Sequence, residues 1–121
     1  MPMLEVNNVH TYYGNDITDY KAQVAYYVEL AARWGVPEVW VTEFAFAPAL
    51  DGTVRNSTQA LTDYIAWLDQ QPTVTRYSVW TNRVECMPGI VPDGVFDTPL
   101  YAASGALTAA GRAYARPRFE E

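Results

Sequence analysis

The stretch that decides the fold is residues 36–44, Val-Pro-Glu-Val-Trp-Val-Thr-Glu-Phe. Its apolar residues form a nearly continuous run, which is typical of a parallel strand buried on both faces. Gly35 lies directly before this stretch, and Pro37 is its second residue. Together they end the helical spacing of apolar residues that precedes it. The stretch closes on Glu43, so an acid lies at the carboxyl end of the predicted strand.

The segments on either side complete three strand-then-helix units. The predicted strands are residues 4–13, 38–44 and 74–80. The predicted helices run from residues 16–18 to Trp34, from Asn56 or Ser57 to Leu68, and from Ala109 to Ala115 behind a Thr108 cap. Strands that alternate with helices indicate a parallel α/β architecture. No Gly-rich phosphate loop follows any strand, so a nucleotide-binding sheet loses support against a (β/α) barrel.

Length and composition limit the classes of function. The chain has 121 residues, 50% of them hydrophobic, which suits one domain with a core. Its net charge of −6 repels phosphate backbones and anionic lipids, so we expect no nucleic acid and no membrane partner. His10 and Cys86 are the only residues of their types, so a multi-histidine metal site and an internal disulfide are excluded. No metal or cofactor is expected, and the start of the chain lacks the features of a signal peptide.

Glu43 is the first candidate for catalysis, because parallel α/β folds build active sites at the carboxyl ends of their strands. Its alternation with Val39 and Val41 predicts that all three point toward a barrel axis. There Glu43 acts as a nucleophile on an anomeric carbon. The alternative is a solvated acid or the partner of an arginine.

Three further residues are candidates for substrate binding. His10 and Tyr12 share one strand face, where Tyr12 keeps a neighbouring carboxylate ionised and His10 binds a sugar hydroxyl. Trp80 ends the third strand and forms the floor of a sugar subsite. Core packing is the alternative for His10 and Trp80. The remaining tryptophans lie on helical stripes or on the opposite strand face, and core packing is predicted for Trp34, Trp40 and Trp67.

These strand ends resemble those of the retaining glycoside hydrolases built on the (β/α)8 barrel. More narrowly, nearly the whole chain resembles glycoside hydrolase family 128, the fungal-type endo-β-1,3-glucanases. The resemblance is carried by residues 9–12, 36–44, 67–77 and 104–114. It implies that residues 1–121 form a single partial barrel domain. This domain holds strands six to eight and the closing helix, that is, the C-terminal half of a TIM barrel.

The resemblance also implies roles for the candidate residues. Glu43 occupies the position of the nucleophile, Tyr12 and His10 lie beside it, and Trp80 lies near the cleaved bond. The implied partner is a polysaccharide or oligosaccharide, a β-glucan. The implied location is extracellular or in a cell wall.

The chain departs from this family in its length. A full barrel needs about 250 residues, and the family's general acid/base glutamate lies on a fourth strand without a counterpart here. A retaining mechanism needs two carboxyl groups about 5–5.5 Å apart, and Glu85 is the sole conceivable substitute. Three hypotheses stay open: a truncated β-1,3-glucan hydrolase, a non-catalytic carbohydrate-binding module, and a half-barrel that self-associates through its open sheet edges.

Overall fold

The computed structural model describes residues 5–11, 17–46, 57–79, 100–102 and 104–115. Strands and helices alternate in the order β1 Val6–Thr11, α1 Ile17–Trp34, β2 Glu38–Phe44, α2 Ser57–Leu68, β3 Val74–Val79 and α3 Ala109–Ala115. The bounds of β2 and α3 are those predicted. The predicted outer ends of the first and third strands, residues 4, 12–13 and 80, lie outside the described residues. None of the described helices is long and apolar enough to span a membrane.

The three strands form one sheet in the order β1-β2-β3, and both neighbouring pairs are parallel. The parallel α/β prediction is therefore confirmed. The helices cover one face of this sheet and enclose a single core, whose largest fully buried side chains are Tyr20, Tyr64, Phe44 and Phe46. The other face, called here the open face, carries half-buried and exposed side chains: Asn8, His10, Glu38, Trp40, Thr42, Glu43, Thr75, Arg76 and Ser78. The prediction that β2 is buried on both faces is wrong in this structure.

β2 carries one residue more than either neighbour near its carboxyl end. Val41 and Phe44 lie opposite Val9 and Thr11 of β1, so three steps along β2 match two along β1. The same shift occurs against β3, between Val41 and Phe44. An extra residue of this kind is a β-bulge, which re-aims the side chains around it.

The end of α1 confirms the role predicted for Gly35. Gly35 has a φ of 70°, a left-handed conformation that costs side-chain-bearing residues about 1–2 kcal/mol. Its N–H donates to the carbonyl of Ala32 at 3.3 Å, and Val36 N–H donates to the carbonyl of Ala31 at 2.8 Å. These two bonds form a Schellman motif. Buried Val36 and Ala31 add the apolar contact that accompanies it, so the chain leaves α1 in the direction of β2.

The start of α3 confirms the predicted cap. Thr108 Oγ1 accepts a hydrogen bond from Gly111 N–H at 3.0 Å, which satisfies one of the free N–H groups of the first turn.

We expect Thr108→Ala to lower the free energy of unfolding by about 1 kcal/mol, measured by urea denaturation. Thr62→Ala is the matched control, because Thr62 Oγ1 bonds only back to the carbonyl of Thr58 within α2. Its loss should be neutral or slightly stabilising, and equal losses in both variants would contradict the cap.

Trp34 is the clearest error among the core predictions. Its exposure is 68%, so the helical spacing that places Val24 and Ala31 in the core does not extend to it. Trp67 is partly buried and packs against the core, as predicted. Trp40 lies on the open face instead of in the helix-covered core.

Candidate active site

The bulge in β2 determines which way Glu43 points. Val41 and Phe44 are both fully buried under the helices, so the two residues between them, Thr42 and Glu43, are on the open face. The sequence prediction that Val39, Val41 and Glu43 share one face is therefore wrong. Simple alternation would have put Glu43 under the helices, and the extra residue returns it to the uncovered side of the sheet.

Glu43 and His10 meet at the carboxyl ends of two neighbouring strands. They are partners in the β1–β2 register, and Glu43 Oε2 lies 3.3 Å from His10 Nδ1. Their side chains are 33% and 46% exposed, so the alternative of a core histidine is wrong. The pair presents a carboxylate and an imidazole to whatever occupies the open face. The carboxylate can attack an electrophilic carbon, and both side chains can bind hydroxyl groups.

Thr42 extends the same polar row toward the start of β1. Its Oγ1 donates to Asn8 Oδ1 at 2.5 Å. Asn8 and Thr42 were not identified from the sequence as site residues. Thr42 falls on the open face by ordinary alternation with Trp40, and it was missed because the sequence prediction put the site on the face of Val39 and Val41.

An aromatic cluster beneath the sheet fixes the end of β2. Phe44 contacts Tyr64 edge-on with ring centroids 5.0 Å apart, and Phe46 stacks on Tyr20 at 4.9 Å. The Tyr20 hydroxyl donates to the carbonyl of Ala45. Phe44 and Phe46 follow Glu43 in the chain. Because both rings are buried, they hold in place the backbone that carries the Glu43 carboxylate.

The Tyr64 hydroxyl lies in the same cluster, next to Thr11. Its oxygen is 3.3 Å from Thr11 Oγ1, and both groups are buried. Burial raises the pKa of Tyr64 far above its ordinary value, since a phenolate would lose its hydration there. The hydroxyl therefore stays neutral and ties the end of β1 to α2, directly behind His10.

A second polar network crosses the open face below Glu43. Trp40 Nε1 donates to Thr75 Oγ1 at 3.1 Å, and Thr75 Oγ1 donates to Glu38 Oε1 at 2.6 Å. The Arg76 guanidinium lies 5.1 Å from the centroid of the Trp40 ring, a cation–π distance. A cavity of about 470 Å³ opens beside this network and is lined by Trp40, Thr42, Thr75, Arg76, Tyr77 and Ser78.

β3 also carries an extra residue, so that Thr75 and Arg76 both lie on the open face. Val39 pairs with Val74, and the next residue of β2, Trp40, pairs with Arg76. Thr75 therefore lies between two register partners and joins Arg76 on the open face. The two bulges together give this face more polar groups than strict alternation would allow.

Glu38 is the other acid of the open face within the described residues, and its position separates it from Glu43. It begins β2, and Glu43 is the last residue but one of that strand. Five residues of strand rise about 15 Å, whereas a retaining pair of carboxyl groups is about 5–5.5 Å apart. Glu38 therefore cannot act on the same bond as Glu43. Within the described ranges, no three His, Cys, Asp or Glu side chains are grouped to hold a metal ion.

Three predicted residues have no described position. Tyr12 and Trp80, the candidates for substrate binding, lie outside the described residues. So does Glu85, the candidate replacement for the acid/base. The described site consists of the pair formed by Glu43 and His10, with the network around Trp40 below it.

Sequence comparison relates almost the whole chain to one family. The profile of a family described as "Glycosyl hydrolase catalytic core" matches residues 2–114. No curated protein matches the chain by sequence.

Solved structures give the same relationship. A curdlan-specific exo-β-1,3-glucanase of family GH128 from Blastomyces gilchristii is 28% identical with a TM-score of 0.60, over 90% of this chain and 38% of its own. A GH128 endo-β-1,3-glucanase from Pseudomonas viridiflava is 28% identical with a TM-score of 0.64, over 93% of this chain and 39% of its own. A GH128 oligosaccharide-binding protein from Trichoderma gamsii has the same fold at 24% identity, with a TM-score of 0.63, over 91% of this chain and 39% of its own. The chain thus spans about two fifths of the length of these proteins.

Proposed function

Because the chain belongs to the glycosyl hydrolase catalytic core family, and within it to the GH128 β-1,3-glucanases, we propose that it supplies the nucleophile of a β-1,3-glucan hydrolase. One observation carries this proposal. Glu43 lies on the open face, at the carboxyl end of a parallel strand and 3.3 Å from His10. Active sites of (β/α) barrels are built at that end of the strands.

The proposed fold is the C-terminal half of a TIM barrel. In this arrangement β1, β2 and β3 are strands six to eight, and the helices form part of the outer ring. The open face then becomes the barrel interior. The layer around Trp40 and Arg76 lies below the substrate, and Glu43 stands at the rim where the strands end.

The proposed chemistry is a retaining double displacement. A Glu43 carboxylate oxygen attacks the anomeric carbon, the glycosidic C–O bond breaks, and an acid protonates the leaving oxygen. Water then attacks the same carbon, releases Glu43, and returns its proton to the base form of that acid. Glu38 is too distant for this second role, so we assign the acid/base to (β/α) units beyond the described residues.

His10, Tyr12 and Trp80 are proposed to bind the sugar. His10 contacts Glu43 directly, so it lies where the hydroxyl groups of a bound ring would approach. In the sequence, Tyr12 is the residue after β1 and Trp80 is the residue after β3, and we propose that both belong to the site at the carboxyl-terminal edge of the sheet. An aromatic ring at this edge would stack on the apolar face of a pyranose.

A non-catalytic carbohydrate-binding module is the second candidate. It is favoured because Glu43 is the single suitably placed acid among the described residues, and Glu43 alone can bind hydroxyls but cannot complete both steps of the reaction. The open face retains the polar and aromatic groups that sugar binding needs, and its cavity of about 470 Å³ falls in the size range of ligand pockets.

Laminari-oligosaccharides distinguish these functions. We expect the 121-residue chain to bind laminarihexaose in a calorimetric titration and to release little sugar by itself. Cellohexaose, which has the same sugars in a different linkage, is the control ligand and should bind at least tenfold more weakly. Sugar release by the chain alone would favour a self-sufficient enzyme. Equal affinity for both ligands, or no measurable binding of either, would contradict a β-1,3-glucan site on this chain.

A further inference from the structure

We propose that Tyr64 is a positioning residue, because it favours the strand register that brings Glu43 and His10 together. These two side chains are called here the site pair. The inference rests on the proposed function, since a nucleophile and a sugar-binding histidine work only at the right separation. Tyr64 belongs to α2 and is buried on the helix-covered side of the sheet, whereas the site pair lies on the open face. Tyr64 therefore acts on the pair through the backbone of β1 and β2.

Tyr64 contacts the residue that follows His10 and the residue that follows Glu43. Its hydroxyl oxygen is 3.3 Å from Thr11 Oγ1, and its ring meets the Phe44 ring edge-on, with centroids 5.0 Å apart. Thr11 and Phe44 are partners in the β1–β2 register, one step beyond the site pair. One side chain of α2 thus spans both strands immediately next to the site.

The site pair exists in only one of two possible registers. Up to Val9 and Val41 the ladder is regular, and its continuation would place His10 opposite Thr42. The bulge moves the ladder by one residue and places His10 opposite Glu43 instead. A shift of one residue changes the side of the sheet on which the following side chains lie. Because a bulge also disrupts the ladder, a contact specific to the bulged register is needed to favour it.

Tyr64 makes contacts that the bulged register provides and the regular one does not. Within the described part of the chain, Thr11 is the one buried residue with a polar aliphatic side chain. A slip of β1 would separate its hydroxyl from that of Tyr64, and burying a hydroxyl without its partner is unfavourable. Without the extra residue in β2, Glu43 would lie under the helices in place of Phe44, and the edge-on contact of the two rings would be lost.

Backbone hydrogen bonds connect this contact to the site pair. The carbonyl of Thr11 accepts the N–H of Ala45 at 3.4 Å, so the two strands stay joined beyond the pair. The carbonyl of Ala45 accepts the hydroxyl of Tyr20, whose ring lies edge-on to Tyr64 at 5.4 Å. The site pair is thus held between the regular ladder on one side and this buried network on the other.

The test removes both buried hydroxyls at once, in the double variant Tyr64→Phe/Thr11→Val. Replacing both members of a buried hydrogen bond by apolar groups of similar shape changes stability little, so we expect the variant to melt within a few degrees of the wild type. Tyr114→Phe is the matched control. The Tyr114 hydroxyl donates to the carbonyl of Tyr77 at 3.4 Å and also joins a helix to a strand, but the strand is β3, which carries neither member of the site pair.

NMR of the imidazole gives a direct readout of the site pair. His10 is the only histidine of the chain, so it gives a single set of ring-nitrogen signals. These signals report which nitrogen holds the proton, and that depends on the group each nitrogen faces. Glu43→Gln provides the signal of His10 without the Glu43 carboxylate. We expect the double variant to move the Nδ1 signal at least halfway from the wild-type value to that of Glu43→Gln, and Tyr114→Phe to leave it unchanged.

An unchanged Nδ1 signal in the folded double variant would overturn the positioning role, because a purely structural hydroxyl pair leaves the site pair intact. An equal shift in Tyr114→Phe would overturn it as well. If the double variant does not fold, Tyr64→Phe alone is measured in the same way. It keeps the ring that packs on Phe44, and the same two outcomes decide.

Ligand binding separates this inference from the proposed function. We expect the double variant to bind laminarihexaose at least about tenfold more weakly than the wild type, because binding groups must be held in the productive geometry. A His10 signal that moves as expected in a chain that binds no laminarihexaose keeps the positioning role and counts against the β-1,3-glucan site. Binding by the wild type, with an unmoved His10 signal in the double variant, keeps the glucan site and overturns the positioning role.

Discussion

If the proposed mechanism is right, the Glu43→Gln variant is expected to hydrolyse laminari-oligosaccharides at least about 10³-fold more slowly than the wild type when both are supplied with the (β/α) units that would complete the proposed barrel. The amide keeps the shape and hydrogen-bonding reach of the carboxylate but is a very poor nucleophile, so the covalent step is lost. The measurement is the initial rate of reducing-sugar release at saturating laminarihexaose. Binding of the same ligand should change much less than the rate.

Glu38→Gln is the matched control for this experiment. It makes the same substitution in the same strand and on the same face, but at the far end, where Glu38 accepts a hydrogen bond from Thr75. We expect its rate to stay within about threefold of the wild type, because an acid about 15 Å from Glu43 does not reach the same bond. Equal sugar release by wild type and Glu43→Gln would end the assignment of Glu43 as nucleophile.

Stability provides a further check on the Glu43 variant. Both members of the Glu43–His10 pair are partly solvated, and such pairs contribute about 0–1 kcal/mol. Glu43→Gln should therefore unfold within about 1 kcal/mol of the wild type in urea. A loss above roughly 2 kcal/mol would instead make Glu43 a structural anchor, and the lower rate would then need another explanation.

The ends of the elements could be predicted because local residues determine them. Gly35 takes a left-handed φ that ends α1, and Thr108 caps α3 with its own side chain. The bounds of β2 follow from its apolar run and its position between two helices. Each of these features depends on interactions within a few residues, which a sequence displays directly.

The orientation of Glu43 could not be derived in this way. The alternation argument assumes that a strand keeps its register, and it placed Glu43 with Val39 and Val41. The extra residue in β2 appears only when Val41 and Phe44 are matched to their partners on both neighbouring strands. Glu43 stays a predicted site residue, but the argument for the direction of its side chain was wrong.

Trp34 shows a related limit of helical periodicity. Apolar spacing along α1 predicted one face, whereas the structure divides the apolar residues between the core and the exposed side of the helix. Periodicity identifies apolar residues that are expected to pack against another element, but it does not say which element that is. The core covers Val24 and Ala31, whereas Trp34 is exposed on the outer side of α1.

The second large effect is expected for the substitution Gly111→Ala, which should destabilise the protein. Helix propensity alone would predict a gain in stability. Gly111 lies inside α3, where replacing glycine by alanine ordinarily stabilises a helix by about 1 kcal/mol. An added Cβ, however, would lie 2.1 Å from the carbonyl oxygen of Leu100 and 2.9 Å from Leu107 Cδ2. The nearest atom belongs to the backbone, so no side-chain rotation can relieve this contact.

Gly111→Ala should therefore destabilise the protein by about 3 kcal/mol, the upper part of the range for overpacking. The Leu100 carbonyl that would have to move accepts the N–H of Thr108 at 3.0 Å, so the shift also disturbs the cap of α3. Gly105→Ala is the control, because Gly105 has a φ of 85° and open space around its Cβ position, which leaves only backbone strain of about 1–2 kcal/mol. Urea denaturation of the two variants measures the difference. If Gly111→Ala is the more stable of the two, α3 does not pack against Leu100 and Leu107 as closely as described, and propensity outweighs the contact.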